Sequence, residues 1–482
     1  MNAKRNYIYN MIYNILSVVT PLITAPYLSR VLGTDGIGIY SYYYAIAYYF
    51  TLMGKMGLTN YGTRQIAEVK SDEESVKKVF SSIYCMQLIV SVFIAIIYFV
   101  VVTFVIDKDR MVGYVFGIWI IGTIINIDWF LFGLERFKET ATRNIIVRIV
   151  ELIAIFILVR NDGDVWKYCL ICALGYTIGY ISFWDFGKKY ISFTTINKNE
   201  VLKHLKPCLI LMIPVIALNI YRSMDKVMLG SICDMRETGL YESAEKIIYS
   251  LTLFVSSLGT VMMPRMSALL SEGKTERVKQ GIENSITFVV FMTSAMCFGI
   301  LSISESLIPW FYGDEFYGSI ILINLLTVTL ILIGWGNVVR TQYIIPMKMD
   351  DIYIKSISLG AIVNLVVNSI LIPKYAAVGA CIGTLAAECV VPIYQGIRLR
   401  KELEQGKYIK TVIPFVGIGL IMFAILKFVE ELLGSGFTTM LLQIFVGAII
   451  YVGLSFLYAY RFLPSLLQPI LAMKRKKVHP SK

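Results

Sequence analysis

Fourteen apolar stretches, each near the ~20 residues that cross a bilayer as helix, run through this chain of 482 residues. In hydrocarbon every backbone polar group must be satisfied internally, which leaves helices and closed barrels, and runs of this length are too long for barrel strands. The predicted fold class is therefore all-α, a polytopic membrane helix bundle. Hydropathy predicts spans near 8–31, 38–58, 80–106, 111–133, 145–159, 166–186, 208–230, 240–263, 282–303, 319–339, 352–373, 376–397, 412–430 and 439–461. With 57% hydrophobic and 16% charged residues, no sizeable water-soluble domain is left over.

The first span follows Lys4 and Arg5, as a signal peptide would, but it is too long and lacks a small-residue cleavage site, so it is expected to stay in the mature protein. With the N-terminus inside, Lys108, Arg110, Arg160, Lys167, Arg236 and Lys374 fall in outer loops, while most of the 45 basic residues fall in cytoplasmic segments. That bias predicts both termini inside a bacterial cytoplasmic membrane. A net charge of +12 would also suit nucleic acid, but it is scattered over short loops and the tail Lys474-Arg475-Lys476-Lys477, which fits anionic headgroups of membrane lipids and not nucleic acid.

Seven of the eight cysteines lie in or beside apolar spans, and the pair Cys169-x-x-Cys172 has no second pair at zinc spacing, so it reads as packing. The two histidines, His204 and His479, are assigned to cytoplasmic segments. No metal cluster, phosphate loop or nucleophile motif appears, so neither a metal nor any other cofactor is expected, and the chain does not read as an enzyme.

One internal echo organises the chain. Arg30-Val31-Leu32-Gly33 leads to Gly38-Ile39-Tyr40-Ser41, and Lys226-Val227-Met228-Leu229-Gly230 leads to Gly239-Leu240-Tyr241-Glu242. Two six-helix lobes follow, over 1–200 and 201–405, in the same orientation because six is even, as in transporters built from parallel repeats. Residues 406–463 hold two extra transmembrane helices, and 464–482 form a basic cytoplasmic tail.

Charges inside spans are functional candidates by default. Arg222, Asp225 and Lys226 share a helix face at i, i+3 and i+4, and Glu242, Glu245 and Lys246 repeat the spacing. With Arg30 and Lys55 these cations suit an anionic ligand such as a phosphate or diphosphate. The alternative is mutual neutralisation, Arg222 with Asp225 and Lys246 with Glu242. Lys55 and Lys427 lie near span ends, where a long side chain can snorkel to the interface, and Lys427 reads as doing so. Asp128, Asp225, Glu242, Glu245 and Glu388 are candidates for ion coupling or charge pairing. Of the clustered tyrosines, Tyr40, Tyr42, Tyr43, Tyr44, Tyr48 and Tyr49, most read as an interfacial belt, with sugar contact the alternative.

At these residues the chain resembles the polysaccharide-repeat flippases, the Wzx-like O-antigen and capsule members of the multidrug/oligosaccharidyl-lipid/polysaccharide exporter superfamily. The likeness runs through Pro26 to Gly33, Tyr61-Gly62-Thr63-Arg64, Asn126-Ile127-Asp128-Trp129, Gly133-Leu134-Glu135-Arg136-Phe137, Asp225-Lys226, Asn364, Asn368, Ile372-Pro373-Lys374-Tyr375, Gly379-Ala380, Gly383-Thr384 and Glu388. Phe132 departs from it, standing where many relatives carry glutamine. The resemblance implies alternating access that moves undecaprenyl-diphosphate-linked oligosaccharide to the outer leaflet. From their positions within spans and their shared helix faces, Arg222, Lys226 and Lys246 are assigned to the diphosphate, and Arg30 and Lys55 to entry or gating contacts. Partners would be that substrate, polysaccharide polymerase and chain-length proteins. A lipid II flippase and a cation-coupled multidrug or small-molecule antiporter of the same fold compete, although the first span lacks the buried carboxylate of many such antiporters.

Overall fold

A helix of 53 residues, α1 (Ala3–Lys55), would be about 80 Å long if continuous, against an apolar layer of ~30 Å. Gly33 breaks it at φ 65°, ψ −175°, backbone that only glycine adopts cheaply, so the helix serves as the first two predicted spans. The same device recurs in α14, where Ala376 at φ 46° separates the eleventh and twelfth spans.

The computed structural model describes residues 3–188 and 190–464, with side chains from residue 19 onward apart from 137–139, 214, 217, 218 and 221. The basic tail and His479 lie outside the described residues, as do the side chains of Lys4 and Arg5. After α1 come α2 (Leu58–Val69), α3 (Glu73–Phe104), α4 (Arg110–Ile124), α5 (Asp128–Gly133), α6 (Phe137–Leu158), α7 (Val165–Gly187), α8 (Lys198–Leu202) and α9 (Leu205–Ile232). There follow α10 (Met235–Ser271), α11 (Thr275–Tyr312), α12 (Ser319–Thr327), α13 (Thr329–Val339), α14 (Asp350–Arg398), α15 (Gln405–Leu433) and α16 (Phe437–Phe462). Each of the fourteen predicted spans falls on one of these helices, or on a short pair of them (α4 with α5, α12 with α13). No strand occurs among the described residues. The all-α membrane bundle is thus the observed class.

Contacts divide the chain after Glu242, within α10. In the first unit α1 packs against α4, α6 and α9, and α4 packs against α7 and α3. Its interior is stitched by Gln87, which donates to the carbonyls of Thr123 (3.2 Å) and Asn126 (2.7 Å) and accepts from the Trp129 indole (2.8 Å). In the second unit α11 is central, packed against α13, α15 and α16. An apolar cluster around Ile282, Ile286 and Val290 is joined there by buried amides: Gln443 donates to the carbonyls of Ser302 and Leu426 at 3.1 Å each.

Candidate functional site

The segment between α4 and α5 builds the first membrane-depth charge centre. Asn126 is buried, its Oδ1 accepting from the Asp128 backbone N–H and its Nδ2 donating to Asp128 Oδ2, both at 3.0 Å. The same Oδ2 takes Lys55 Nζ at 3.0 Å, and the ammonium lies 5.2 Å from the Tyr180 ring centroid. Lys55 ends α1 and Asp128 starts α5, so the pair closes a contact across 73 residues. An aimed carboxylate and an aromatic face answer the desolvation that an unpartnered lysine would suffer.

The second centre forms where α9 turns into α10. Lys226 Nζ meets Glu242 Oε2 at 2.6 Å, the same oxygen accepts from Ser41 Oγ at 2.9 Å, and buried Asp225 accepts from the Tyr241 hydroxyl at 2.7 Å. The helix face shared by Arg222, Asp225 and Lys226 therefore meets unlike surroundings: Arg222 is exposed, Asp225 buried and Lys226 half-buried. Spacing along one helix could not reveal the Lys226–Glu242 pair, because it is made across a helix corner. The echo residues meet beside it. A Cβ on Gly38 would lie 1.7 Å from the Met235 carbonyl oxygen, and one on Gly239 would lie 2.0 Å from the Thr34 carbonyl oxygen. Only two glycines allow the backbones to come this close.

Arg30 is exposed, its guanidinium donating to the Pro26 carbonyl at 2.9 Å. In the second unit Lys246 and Glu245 on α10, and Glu388 on α14, are half-buried.

A third centre lies between α6 and α7, and sequence reasoning missed it. Arg148 Nη1 meets Glu151 Oε2 at 2.8 Å, with the Glu151 side chain 7% exposed and that of Arg148 31% exposed. Arg143, Asn144, Val147, Gly175 and Tyr176 complete a cavity of about 50 Å³ around the pair. A Cβ at Gly175 would sit 1.9 Å from Glu151 Oε1 and one at Gly179 1.7 Å from Arg143 Nη2, so a glycine groove at i, i+4 receives both side chains. The signal was available: Arg148 and Glu151 are charges three apart inside the span 145–159.

One expectation is corrected. The tyrosines of α1 face the protein instead of forming a belt. Tyr42 and Tyr43 are buried, the Tyr49 hydroxyl donates to the Asn219 carbonyl, and Tyr40, Tyr44 and Tyr48 stack at i, i+4 spacing, with Trp119 against Tyr44 and Tyr176 against Trp119. Phenol rings are large enough to fill the helix interfaces and their hydroxyls reach backbone carbonyls there. Lys427 is paired near the end of α15, its ammonium 2.8 Å from Glu305 and 2.7 Å from Glu430.

Outside the spans, His204 is fully buried between the Tyr61 hydroxyl at Nδ1 (2.7 Å) and the Ser82 hydroxyl at Nε2 (2.9 Å). Ser82 donates its own proton to the Val79 carbonyl, which assigns the proton-bearing nitrogen to Nε2. Burial, with the Lys203 ammonium adding less, pulls the imidazole down to about 4.

These elements define a multi-pass membrane protein with ion pairs between its helices. Its backbone matches the solved lipid II flippase MurJ in an inward closed conformation, with a TM-score of 0.70 at 16% identity over 96% of this chain and 100% of that one. An inward-facing multidrug resistance MATE family transporter matches with a TM-score of 0.63 at 13% identity over 81% and 95%. The chain belongs to the polysaccharide biosynthesis protein family, whose profile matches residues 3–270. A putative O-antigen transporter of Escherichia coli K12 is 22% identical over 81% of this chain and 95% of its own length. A probable low-salt glycan biosynthesis flippase, Agl15, of Haloferax volcanii is 22% identical over 95% and 96%.

Proposed function

We propose that this protein is a flippase, not an enzyme, which carries undecaprenyl-diphosphate-linked oligosaccharide repeat units from the inner to the outer leaflet of a bacterial cytoplasmic membrane. Alternating access drives the passage, both termini stay cytoplasmic, and the product feeds synthesis of O-antigen, capsule or exopolysaccharide. Membership of the polysaccharide biosynthesis family carries this reading, and relatives named as O-antigen transporter and glycan flippase over nearly their whole lengths support it.

The chemistry is compatible with that cargo. A lipid-linked sugar needs a polar route for its head group while its tail stays in hydrocarbon, and helices with charges at membrane depth supply such a route. Arg222 and Lys246 are each assigned to the diphosphate, and Arg30 to gating. Lys55 and Lys226 meet the same anion only when it competes with Asp128 and Glu242. Among the carboxylates Asp128, Asp225, Glu242, Glu245 and Glu388, the first four of which lie on or beside these cations in sequence or space, a coupling ion would have its seat.

The test is the leaflet position of the linked oligosaccharide in cells depleted of the protein, read with a lectin or periodate label that cannot cross the membrane. Inner-leaflet accumulation, relieved by re-expression and not by an Arg222→Ala variant that still inserts, is the expected result. Normal outer exposure in depleted cells would sink the reading and favour a small-molecule exporter.

A further inference from the structure

The pocket between α6 and α7 has no part in the assignments above. We propose that it binds a single small oxyanion of the transported glycan, the carboxylate of an acidic sugar or one phosphoryl group, held by Arg143 and Arg148 in place of Glu151. This rests on the flippase reading for the identity of its cargo, though not for the existence of the site.

Three observations carry it. The Lys55–Asp128 centre sets one cation against one carboxylate, whereas this pocket is lined by two guanidinium groups and one carboxylate. The Arg148 Nη1–Glu151 Oε2 contact at 2.8 Å shows that a carboxylate oxygen already meets the guanidinium there, and an incoming oxyanion competes for it. A helix-surface pair at i, i+3 requires no empty space beside it, yet a cavity of about 50 Å³ adjoins this one. A water needs roughly 10–15 Å³ of such space, so the cavity has room for a few waters that an oxyanion would displace. One carboxylate or phosphoryl group is compatible with it once Glu151 swings aside, and the site is assigned one such group.

Trp119 gives a built-in reporter, since its ring stacks at 4.2 Å on Tyr176, a residue of the pocket wall. Purified full-length protein in detergent would be titrated with glucuronate, inorganic phosphate, pyrophosphate and, as a neutral control, glucose, following tryptophan fluorescence. A saturable change with glucuronate or phosphate and none with glucose is expected, and it disappears in Trp119→Phe. Arg148→Gln should weaken it by about ten-fold or more, and Arg148→Lys, which keeps the charge and loses the fork, should weaken it as well. Glu151→Gln should strengthen it by about ten-fold, because the internal competitor is gone. A response to glucuronate alone assigns the acidic sugar, and a response to phosphate alone assigns the phosphoryl group.

No saturable response in either wild type or Glu151→Gln would overturn the proposal, as would one that Arg148→Gln leaves unchanged. Tighter binding of pyrophosphate than of phosphate would overturn the one-group assignment. Flipping in cells without oxyanion binding removes this site and leaves the flippase; binding without flipping does the reverse.

Discussion

The two units solve the same problem, polar groups inside an apolar solvent, with different materials. Buried titratable side chains in the first unit include Glu151, Asp164, His204 and Asp225, and half-buried Lys55 and Lys226 add cations at membrane depth. In the second unit Glu430 is the one buried acidic side chain among the described residues, and the rest of its buried polarity is amide and hydroxyl: Asn337, Gln342, Asn364, Asn368, Gln395, Gln443 and a row of serines and threonines along α11. An ion pair can trade one partner for a ligand at small net cost, because a charge remains to be satisfied either way. Of the second unit's buried amides, Gln443 is bonded to backbone carbonyls, Gln395 to the Ser356 hydroxyl and Asn368 to the Asn364 amide. The difference places most of the buried ion pairing in the first unit and most of the buried amides in the second.

The largest expected effect tests the ionic side. Asp128→Ala strands the Lys55 ammonium beside Tyr180 and should destabilise the fold by about 3 kcal/mol, visible as a lower melting temperature in detergent. Double replacement of Lys55 and Asp128 by apolar residues should recover much of that loss. Equal melting of single and double variants would break the comparison.

Next comes pH. His204 titrates near 6.5 when unfolded and is pulled down to about 4 when folded, so the unfolded chain binds more protons between those values. Stability is full above pH 6.5, falls as pH drops through the window, and loses no more below about 4. The loss amounts to at most about 3 kcal/mol from this residue. His204→Gln should flatten the melting profile between pH 6.5 and 4; an unchanged slope would remove His204 from the account.

The smallest effect tests the amide side. Gln443→Leu gives up two 3.1 Å bonds, but it also removes an Oε1 with no hydrogen-bond partner, so the net cost should be about 1 kcal/mol. A loss as large as that of Asp128→Ala would mean the second unit depends on its buried polarity as strongly as the first.

How much of this was legible in sequence follows from the range of each interaction. The spans were legible because hydropathy is summed over twenty residues, and the break at Gly33 followed from the gap between two of them. Asp128 could be named as a charge to be paired, but its partner is 73 residues away and no local period connects them. The Glu305 partner of Lys427 was not legible, because it is 122 residues earlier and lies beside it only once α11 and α15 pack. Glu151 and Arg148 were readable at i, i+3, whereas the groove that seats them depends on Gly175 and Gly179 from the next helix.

The crossing of Gly38 and Gly239 has a historical consequence. Gly38 lies against Met235 and Gly239, and Gly239 lies against Thr34 and Gly38, a crosswise pattern. This is the contact rule of a two-fold symmetric dimer, in which one patch meets its own copy. A chain doubled from a self-associating ancestor would inherit such a contact ready-made. Thereafter its two glycines evolve as one position, since a side chain gained on either strand of the crossing closes the same gap for both.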